Sequence, residues 1–96
     1  MKKKLNNNNN NTFTEEIVNI DFDLFNTEEL VIIFSFYNLM QKNKKHPQKP
    51  QIVLNAYQEY RNTINSIALE KKYNKEFEEK TGISIYHTIK RLKENN

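Results

Sequence analysis

The sequence contains no cysteine, no tryptophan, a single glycine and two prolines. Without cysteine the chain has no disulfide, no thiol nucleophile and no thiolate ligand for zinc, and this composition suits a reducing cytoplasm. Hairpin turns depend on glycine and proline, so their scarcity argues against a β-rich fold. The sequence therefore predicts an all-α, cytoplasmic protein.

Long apolar segments are also missing. The longest apolar run is LVIIF at residues 30–34, far shorter than the roughly 18 residues that a membrane helix needs. The lysines at 2–4 lead into asparagines rather than into an apolar stretch. We therefore predict neither a signal peptide nor a membrane partner.

Positive charge is unevenly distributed along the chain, whose net charge is +3. Residues 1–29 carry three Lys against six acidic residues, whereas residues 30–65 carry five Lys or Arg against one. Residues 66–96 carry seven against five. The excess centres on residues 41–50, QKNKKHPQKP, which could attract an anionic partner, although most basic loops are simply solvated.

The N-terminal region divides into two parts. Residues 1–12 include six consecutive asparagines, which cannot bury apolar surface, so we predict a disordered tail. Residues 13–96 form a single domain, a bundle of about four helices. Residues 13–25 open it either as an extended arm across the bundle or with a short helical turn at 14–19. The arm would pack Ile17, Ile20, Phe22, Leu24 and Phe25, while Asp21 and Asp23 would face solvent.

The first helix begins after Asn26, which forms a predicted capping box with Glu29. Its apolar residues cover much of the circumference, so we predict that it is the central helix. Residues 41–50 are predicted to be a loop in which His46 is solvated. The expected inward residues of this helix are Leu30, Ile33, Phe34, Tyr37 and Met40, with Ile32, Phe36 and Leu39 as a second stripe.

Three further helices follow from their start and stop signals. Pro50 suits the first turn of the second helix, which ends at Asn65. Ser66 caps the third, Gly82 ends it in a left-handed conformation, and Ser84 caps the fourth. The predicted inward residues are Val53, Ala56, Tyr57, Tyr60, Ile64, Leu69, Tyr73, Phe77, Ile83, Ile85, Ile89 and Leu92.

The last two helices resemble a DNA-binding helix-turn-helix, because a short glycine turn precedes a helix with basic residues. Two features oppose that reading. Glu78 stands where close helix crossing needs a small residue, and the apolar face falls one residue late, at Ile89 and Leu92. One residue rotates the buried face by about 100°, so an ordinary helical hairpin is favoured. The residues of the candidate binding surface are Tyr86, His87, Lys90, Arg91 and Lys93.

No arrangement of residues in the sequence indicates catalysis. There is no nucleophilic triad, no glycine-rich phosphate loop and no cluster of metal ligands, so we predict no enzyme activity, no cofactor and no metal. The expected function is a non-catalytic binding or adaptor role, with another protein or a second copy of the chain as partner. The alternative is a nucleic-acid-binding protein that uses the last helix.

A series of short motifs runs through about two thirds of the chain. They are Asn26-Thr27-Glu28-Glu29, Ala56-Tyr57 with Tyr60, Ser66, Ala68, Glu70 and Lys71, Glu76-Phe77-Glu78, and Gly82, Ser84, Tyr86 and Thr88. This set resembles the YktA-like proteins, the uncharacterised protein family 0223 of low-GC Gram-positive bacteria. The chain departs from that pattern at Phe25, in place of Trp, and at Asn65, in place of Pro. The resemblance implies a small cytoplasmic helical bundle and brings no catalytic residues.

Overall fold

Four α-helices and a short arm make up the protein in a computed structural model that describes residues 17–94. The helices are α1 (Thr27–Lys45), α2 (Pro50–Ile64), α3 (Ile67–Thr81) and α4 (Ile85–Glu94), and a 3-10 turn, Phe22–Leu24, precedes them. No strand occurs in this part of the chain, so the predicted all-α bundle is confirmed. The tail predicted at residues 1–12 lies outside the described residues.

The helix boundaries follow from capping residues that the sequence displays. Asn26 Oδ1 accepts a hydrogen bond from the Glu29 amide at 2.8 Å, and Glu29 Oε1 accepts from the Asn26 amide at 2.9 Å. This capping box satisfies two donors that the first turn leaves open. Asn65 and Gly82 end α2 and α3 with φ of 52° and 76°, a left-handed conformation that these residue types tolerate.

The loop predicted at residues 41–50 is wrong in its first half. Helix α1 continues to Lys45, and only His46 to Lys49 connect it to α2. The extension contains glutamine and lysines, which are good helix formers, and nothing breaks the helix before Pro47. The lysines of this extension, at positions 42, 44 and 45, therefore lie on a helix rather than in a loop. His46 is exposed, as predicted.

The arm, residues 17–25, lies against α3. Its residues Ile17, Val18 and Ile20 are buried. The Asn19 amide donates to Glu76 Oε1 at 2.9 Å. Residue 17 has helical backbone geometry and residues 18–21 do not, while most of the alternative turn at 14–19 falls outside the described residues.

Asp21 fastens the end of the arm to α3. The Tyr73 hydroxyl donates to Asp21 Oδ2 at 2.7 Å and accepts from the Asp21 amide at 3.1 Å. The prediction that Phe22 and Leu24 pack inward is wrong, because these residues are 47% and 60% exposed. The 3-10 turn changes the side-chain period from two to three at this point, so the alternation of the arm ends.

Aromatic side chains fill the centre of the core. The rings of Phe36 and Tyr60 stack at 4.4 Å between centroids, and those of Tyr37 and Phe77 stack at 5.0 Å. The predicted inward residues that are buried are Ile33, Tyr37, Met40, Val53, Tyr60, Ile64, Tyr73, Phe77, Ile83, Ile85 and Ile89, and those that are half-buried against them are Leu30, Phe34, Ala56, Tyr57, Leu69 and Leu92.

Helix α2, and not α1 as predicted, makes the closest backbone approaches to all three other helices. Its inward face carries Val53 and Ala56, whose small side chains allow neighbouring backbones to come near. Helix α1 contributes large side chains, including Phe36 and Tyr37, whose rings contact Tyr60 of α2. The number of apolar residues on a helix therefore indicated burial but not central position.

A chain of hydrogen bonds crosses this aromatic core. The Tyr60 hydroxyl donates to Asn74 Oδ1 at 2.8 Å and lies 2.9 Å from the Tyr37 hydroxyl. Because each hydroxyl has one proton, the Tyr37 hydroxyl donates to Tyr60. Asn74 Nδ2 lies 3.5 Å from Glu70 Oε2. The chain joins α1, α2 and α3 and leaves neither buried hydroxyl unpaired.

We predict that Tyr60→Phe lowers the free energy of unfolding by about 1–3 kcal/mol, because it leaves the buried Tyr37 hydroxyl without a partner. Tyr37→Phe should cost less, since Tyr60 keeps its bond to Asn74. Urea denaturation measures both variants. The double variant should lose less stability than the sum of the losses in the two single variants. Additive losses would contradict the hydrogen-bonded pair. Tyr86→Phe, at an exposed site, is the matched control.

A second prediction concerns alkaline pH. Burial raises the pKa of Tyr37 and of Tyr60 above the ordinary value of 10.0, and raises the pKa of Tyr73 to about 12. Above about pH 10 the unfolded chain releases these protons while the folded chain retains them, so the stabilisation present below that pH is lost as pH rises. Urea titrations from about pH 8 to 11 should show this decline. The decline should be shallower in the double variant Tyr37→Phe/Tyr60→Phe. If the free energy of unfolding falls with pH equally steeply in this variant and in the wild type, the decline does not come from these tyrosines.

Candidate functional site

Two adjoining clefts lie where the C-terminal ends of α1 and α3 meet the start of α4. The α1–α3 cleft has a volume of about 660 Å³, and the α1–α4 cleft has a volume of about 530 Å³. They share Lys44 and Ile83. The first is lined by Ile17, Gln41, Lys44, Lys45, Lys80, Thr81 and Ile83, and the second by Met40, Asn43, Lys44, Pro47, Gln48, Gly82, Ile83, Ser84, His87, Thr88, Arg91 and Leu92.

The extension of α1 positions the basic side chains of both clefts. Its last turn places Lys44 and Lys45 beside the turn that joins α3 to α4. The Lys44 ammonium lies over this turn, 4.0 Å from the point where Gly82 would carry a Cβ atom. Lys44 therefore forms the boundary between the two clefts and contributes its charge to both.

The described lining of the clefts is rich in cations. Their described lining includes Lys44, Lys45, Lys80 and Arg91 but neither Asp nor Glu. Within residues 17–94, the charged side chains of opposite sign that approach within 4.0 Å are those of Arg61 and Glu70, outside the clefts. The helix dipole favours lysines at the ends of α1 and α3, which accounts for each lysine singly. The helix dipole does not explain why lysines from two helices and Arg91 from a third helix lie on the same concave surface.

The structure divides the predicted binding surface between two faces of α4. His87 and Arg91 line the α1–α4 cleft. Tyr86, Lys90 and Lys93 are exposed and lie outside the lining of both clefts. Successive helical residues are separated by about 100°, so residues 87 and 91 share one face and residues 86, 90 and 93 share the next. His87 and Arg91 therefore border the α1–α4 cleft, and Tyr86, Lys90 and Lys93 lie beside it on the outer face of α4.

Ser84 fixes the orientation of His87 at the start of α4. Its Oγ accepts from the His87 amide at 3.1 Å and lies 2.8 Å from His87 Nδ1. The Tyr86 ring meets the His87 ring edge-on at 5.2 Å between centroids, although 66% of Tyr86 is exposed. Ser84 therefore caps the helix, as predicted, and also holds the imidazole at the edge of the cleft.

The packing of α4 agrees with the predicted helical hairpin. Ile85 and Ile89 are buried and Leu92 is half-buried, whereas Arg91 is exposed. The buried face is therefore the one that the shifted apolar pattern indicated. Helix α4 makes its closest approaches to α2, so it closes the bundle.

Lys80 is a site residue that the sequence pattern does not indicate. Lys44 and Lys45 belong to the basic segment 41–50, for which the sequence predicts a loop instead of the helical turn that the structure shows. One signal could have found them: the segment before Pro47 contains no helix breaker, so its lysines belong to a last helical turn. Their proximity to Lys80 depends on tertiary packing, which the sequence pattern does not contain.

A third concave region lies between α2 and α3 and has balanced charge. Arg61 Nε donates to Glu70 Oε1 at 3.2 Å, and the Arg61 guanidinium lies over the Tyr57 ring, 5.8 Å from its centroid. Tyr57 in turn donates to Glu70 Oε2 at 3.2 Å. These groups satisfy one another, so the region offers no unpaired charge to a ligand.

Residues 17–94 contain neither a cluster of metal ligands nor a membrane-spanning helix. No three His, Asp or Glu side chains in this range are grouped so that they could hold a metal ion. None of the four helices described has the length and apolar character needed to cross a membrane.

Comparison with known proteins assigns the family. The model of the uncharacterised protein family UPF0223 matches residues 14–96. The chain belongs to this family. A UPF0223 protein of Bacillus mycoides is 36% identical over 69 residues, which are 72% of this chain and 78% of the relative. One of Streptococcus mutans is 31% identical over 68 residues, 71% and 74% of the two chains. Solved structures gave no significant match.

Most motif residues of this UPF0223 chain have structural contacts. Asn26 and Glu29 form the capping box, and Tyr60 belongs to the hydrogen-bonded core. Glu70 accepts from Tyr57 and Arg61, as described above. Gly82 supplies the left-handed turn beneath Lys44. The family pattern thus marks residues that build the bundle and the turn on which the clefts depend.

We predict that Ser84→Ala lowers the free energy of unfolding by about 1 kcal/mol, because the first turn of α4 loses its side-chain cap. Chemical denaturation measures this loss. Ser35→Ala, on an exposed face in the middle of α1, is the matched control and should leave stability unchanged or slightly higher, since alanine favours helix. Equal effects of the two substitutions would show that the cap contributes nothing.

Proposed function

We propose that this UPF0223 protein is a non-catalytic binding module that docks an acidic partner protein on the surface formed by the two clefts. The observation that supports this proposal is the convergence of Lys44, Lys45, Lys80 and Arg91 on one concave surface without a carboxylate in its described lining. Complementary charge of this kind steers a partner to its site and selects against wrong ones. The absence of cysteine supports a cytoplasmic location.

The distribution of exposed apolar residues favours a polar interface over an obligate homodimer. Each helix contributes one large exposed apolar or aromatic residue, and the 3-10 turn contributes Phe22 and Leu24. Obligate dimers bury extensive apolar surfaces that resemble a divided core. The described part of the chain exposes six large apolar or aromatic residues, which is fewer than a divided core would present. The helix residues are Val31, Ile52, Ile67 and Tyr86.

A nucleic acid on the outer face of α4 is the second candidate. Tyr86 is 66% exposed and lies on the same face as Lys90 and Lys93. An exposed aromatic ring between cations can stack a base while the cations contact phosphates. This face is distinct from the clefts, so substitutions separate the two candidates.

We predict that Lys44→Glu/Arg91→Glu abolishes capture of a specific partner protein from extracts of the native cell, because both reversals place negative charge in the clefts. Quantitative mass spectrometry of captured proteins gives the readout. Lys72→Glu is the matched control, since Lys72 is exposed on α3 outside both clefts. Circular dichroism verifies that each variant remains folded.

Nuclease treatment separates the two candidate functions. Partner capture that survives nuclease and is lost in the double reversal supports protein binding. Capture that disappears with nuclease, weakens steeply with salt and depends on Lys90 and Lys93 supports the nucleic-acid candidate instead. A partner that binds the double reversal as well as the wild type would refute the use of the clefts.

A further inference from the structure

We propose that the α1–α3 cleft recognises an acidic peptide segment that carries one aliphatic side chain, and that this side chain inserts between Ile17 and Ile83. The inference rests on the proposed function, because it names the part of the partner that the surface reads. The site combines an apolar floor with a basic rim, and each part selects one feature of such a segment.

On the described floor of the cleft, the Thr81 hydroxyl and the Gln41 side-chain nitrogen are hydrogen-bonded within the protein. Thr81 Oγ1 donates to the Phe77 carbonyl at 2.8 Å and accepts from the Ile83 amide at 3.1 Å. Gln41 Nε2 donates to the Tyr37 carbonyl at 3.4 Å. Ile17 and Ile83, only 6% and 8% exposed, supply the remaining surface. These two polar groups are already engaged and the two isoleucines are apolar, so the floor favours an apolar group.

The rim of the cleft consists of Lys44, Lys45 and Lys80. None of these ammonium groups lies within 4.0 Å of a carboxylate in the part of the chain that the structure describes. Lysine stems can lie along an apolar surface while their charged ends remain in water. The three stems can therefore flank an inserted aliphatic side chain, and their charged ends can pair with carboxylates before and after it.

The size and surroundings of the cleft suit a peptide rather than a nucleic acid. About 660 Å³ is within the range of roughly 300–1,000 Å³ for sites that enclose small ligands. The neighbouring cleft continues the basic surface past Lys44 to Arg91, so an extended segment can follow it. No Phe, Tyr or Trp occurs in the described lining of either cleft, so a base would find no ring on which to stack.

Titration of the ¹⁵N-labelled full-length chain with synthetic peptides, followed by NMR, tests the inference. The first peptide is acetyl-Asp-Glu-Leu-Glu-Asp-amide, the second has Asn in place of Leu, and the third keeps Leu but has Asn and Gln in place of the acids. We expect the first to shift the amide signals of residues 41–45 and 80–83. The second should bind about tenfold more weakly or worse, because an aliphatic side chain is no longer buried. The third should not bind.

Charge reversal at one position assigns the binding to this cleft. Lys80→Glu should weaken binding of the first peptide at least tenfold, because Lys80 lines only the α1–α3 cleft of the two. Lys72→Glu, on the same helix and outside the clefts, should leave it unchanged. The spectra of both variants report directly whether the bundle remains folded.

Three results would overturn the inference. They are no shift with the first peptide at millimolar concentration, equal affinity for the Leu and Asn peptides, and stronger perturbation of the same amides by a single-stranded oligonucleotide. The proposed function has a separate test. If partner capture still depends on Lys44 and Arg91 while the peptide fails, the binding module stands and only its recognition of an anchored acidic segment falls.

Discussion

The buried pair of hydroxyls on Tyr37 and Tyr60 is the constraint on which the rest of the bundle depends. A tyrosine in a core needs a hydrogen-bond partner, since an unpaired buried hydroxyl costs about 1–3 kcal/mol. Here the two rings, on α1 and α2, satisfy each other, and Asn74 on α3 completes the set. The three helices can meet this requirement only at one rotation and one height relative to each other. An apolar core of similar volume would tolerate small slides, whereas this one specifies a single register.

That register determines where the ends of the helices lie. Tyr37 fixes the position of α1. The helix continues two turns beyond this residue and so brings the Lys44 ammonium over Gly82. With α3 fixed at Tyr73 and Phe77, its final turn places Lys80 at the edge of the same depression. The candidate site is therefore built from the ends of elements whose middles are rigidly paired. Its precision comes from the core, although none of its cations belongs to the core.

Local signals in the sequence predicted most of the fold. Caps such as Asn26, Ser66, Gly82 and Ser84 act within a few residues of themselves, and the helical period of apolar residues is equally local. Two structural features escaped prediction because they depend on distant partners. The direction of Phe22 and Leu24 follows from the bond between Asp21 and Tyr73, which are far apart in sequence. The grouping of Lys44 with Lys80 follows from the packing of α1 beside α3. Of the predicted surface, His87 and Arg91 line a cleft, whereas Tyr86, Lys90 and Lys93 face elsewhere.

The arm supplies one wall of the α1–α3 cleft through Ile17, while the facing wall comes from the end of α3 and the turn after it. The arm is held to the bundle by its three buried residues and by the bonds of Asn19 and Asp21. A chain with a detached arm would lack that wall. Docking of the arm and occupation of the cleft are therefore thermodynamically linked. A ligand that needs the wall strengthens the hold of the arm, and a substitution that detaches the arm weakens binding of the ligand.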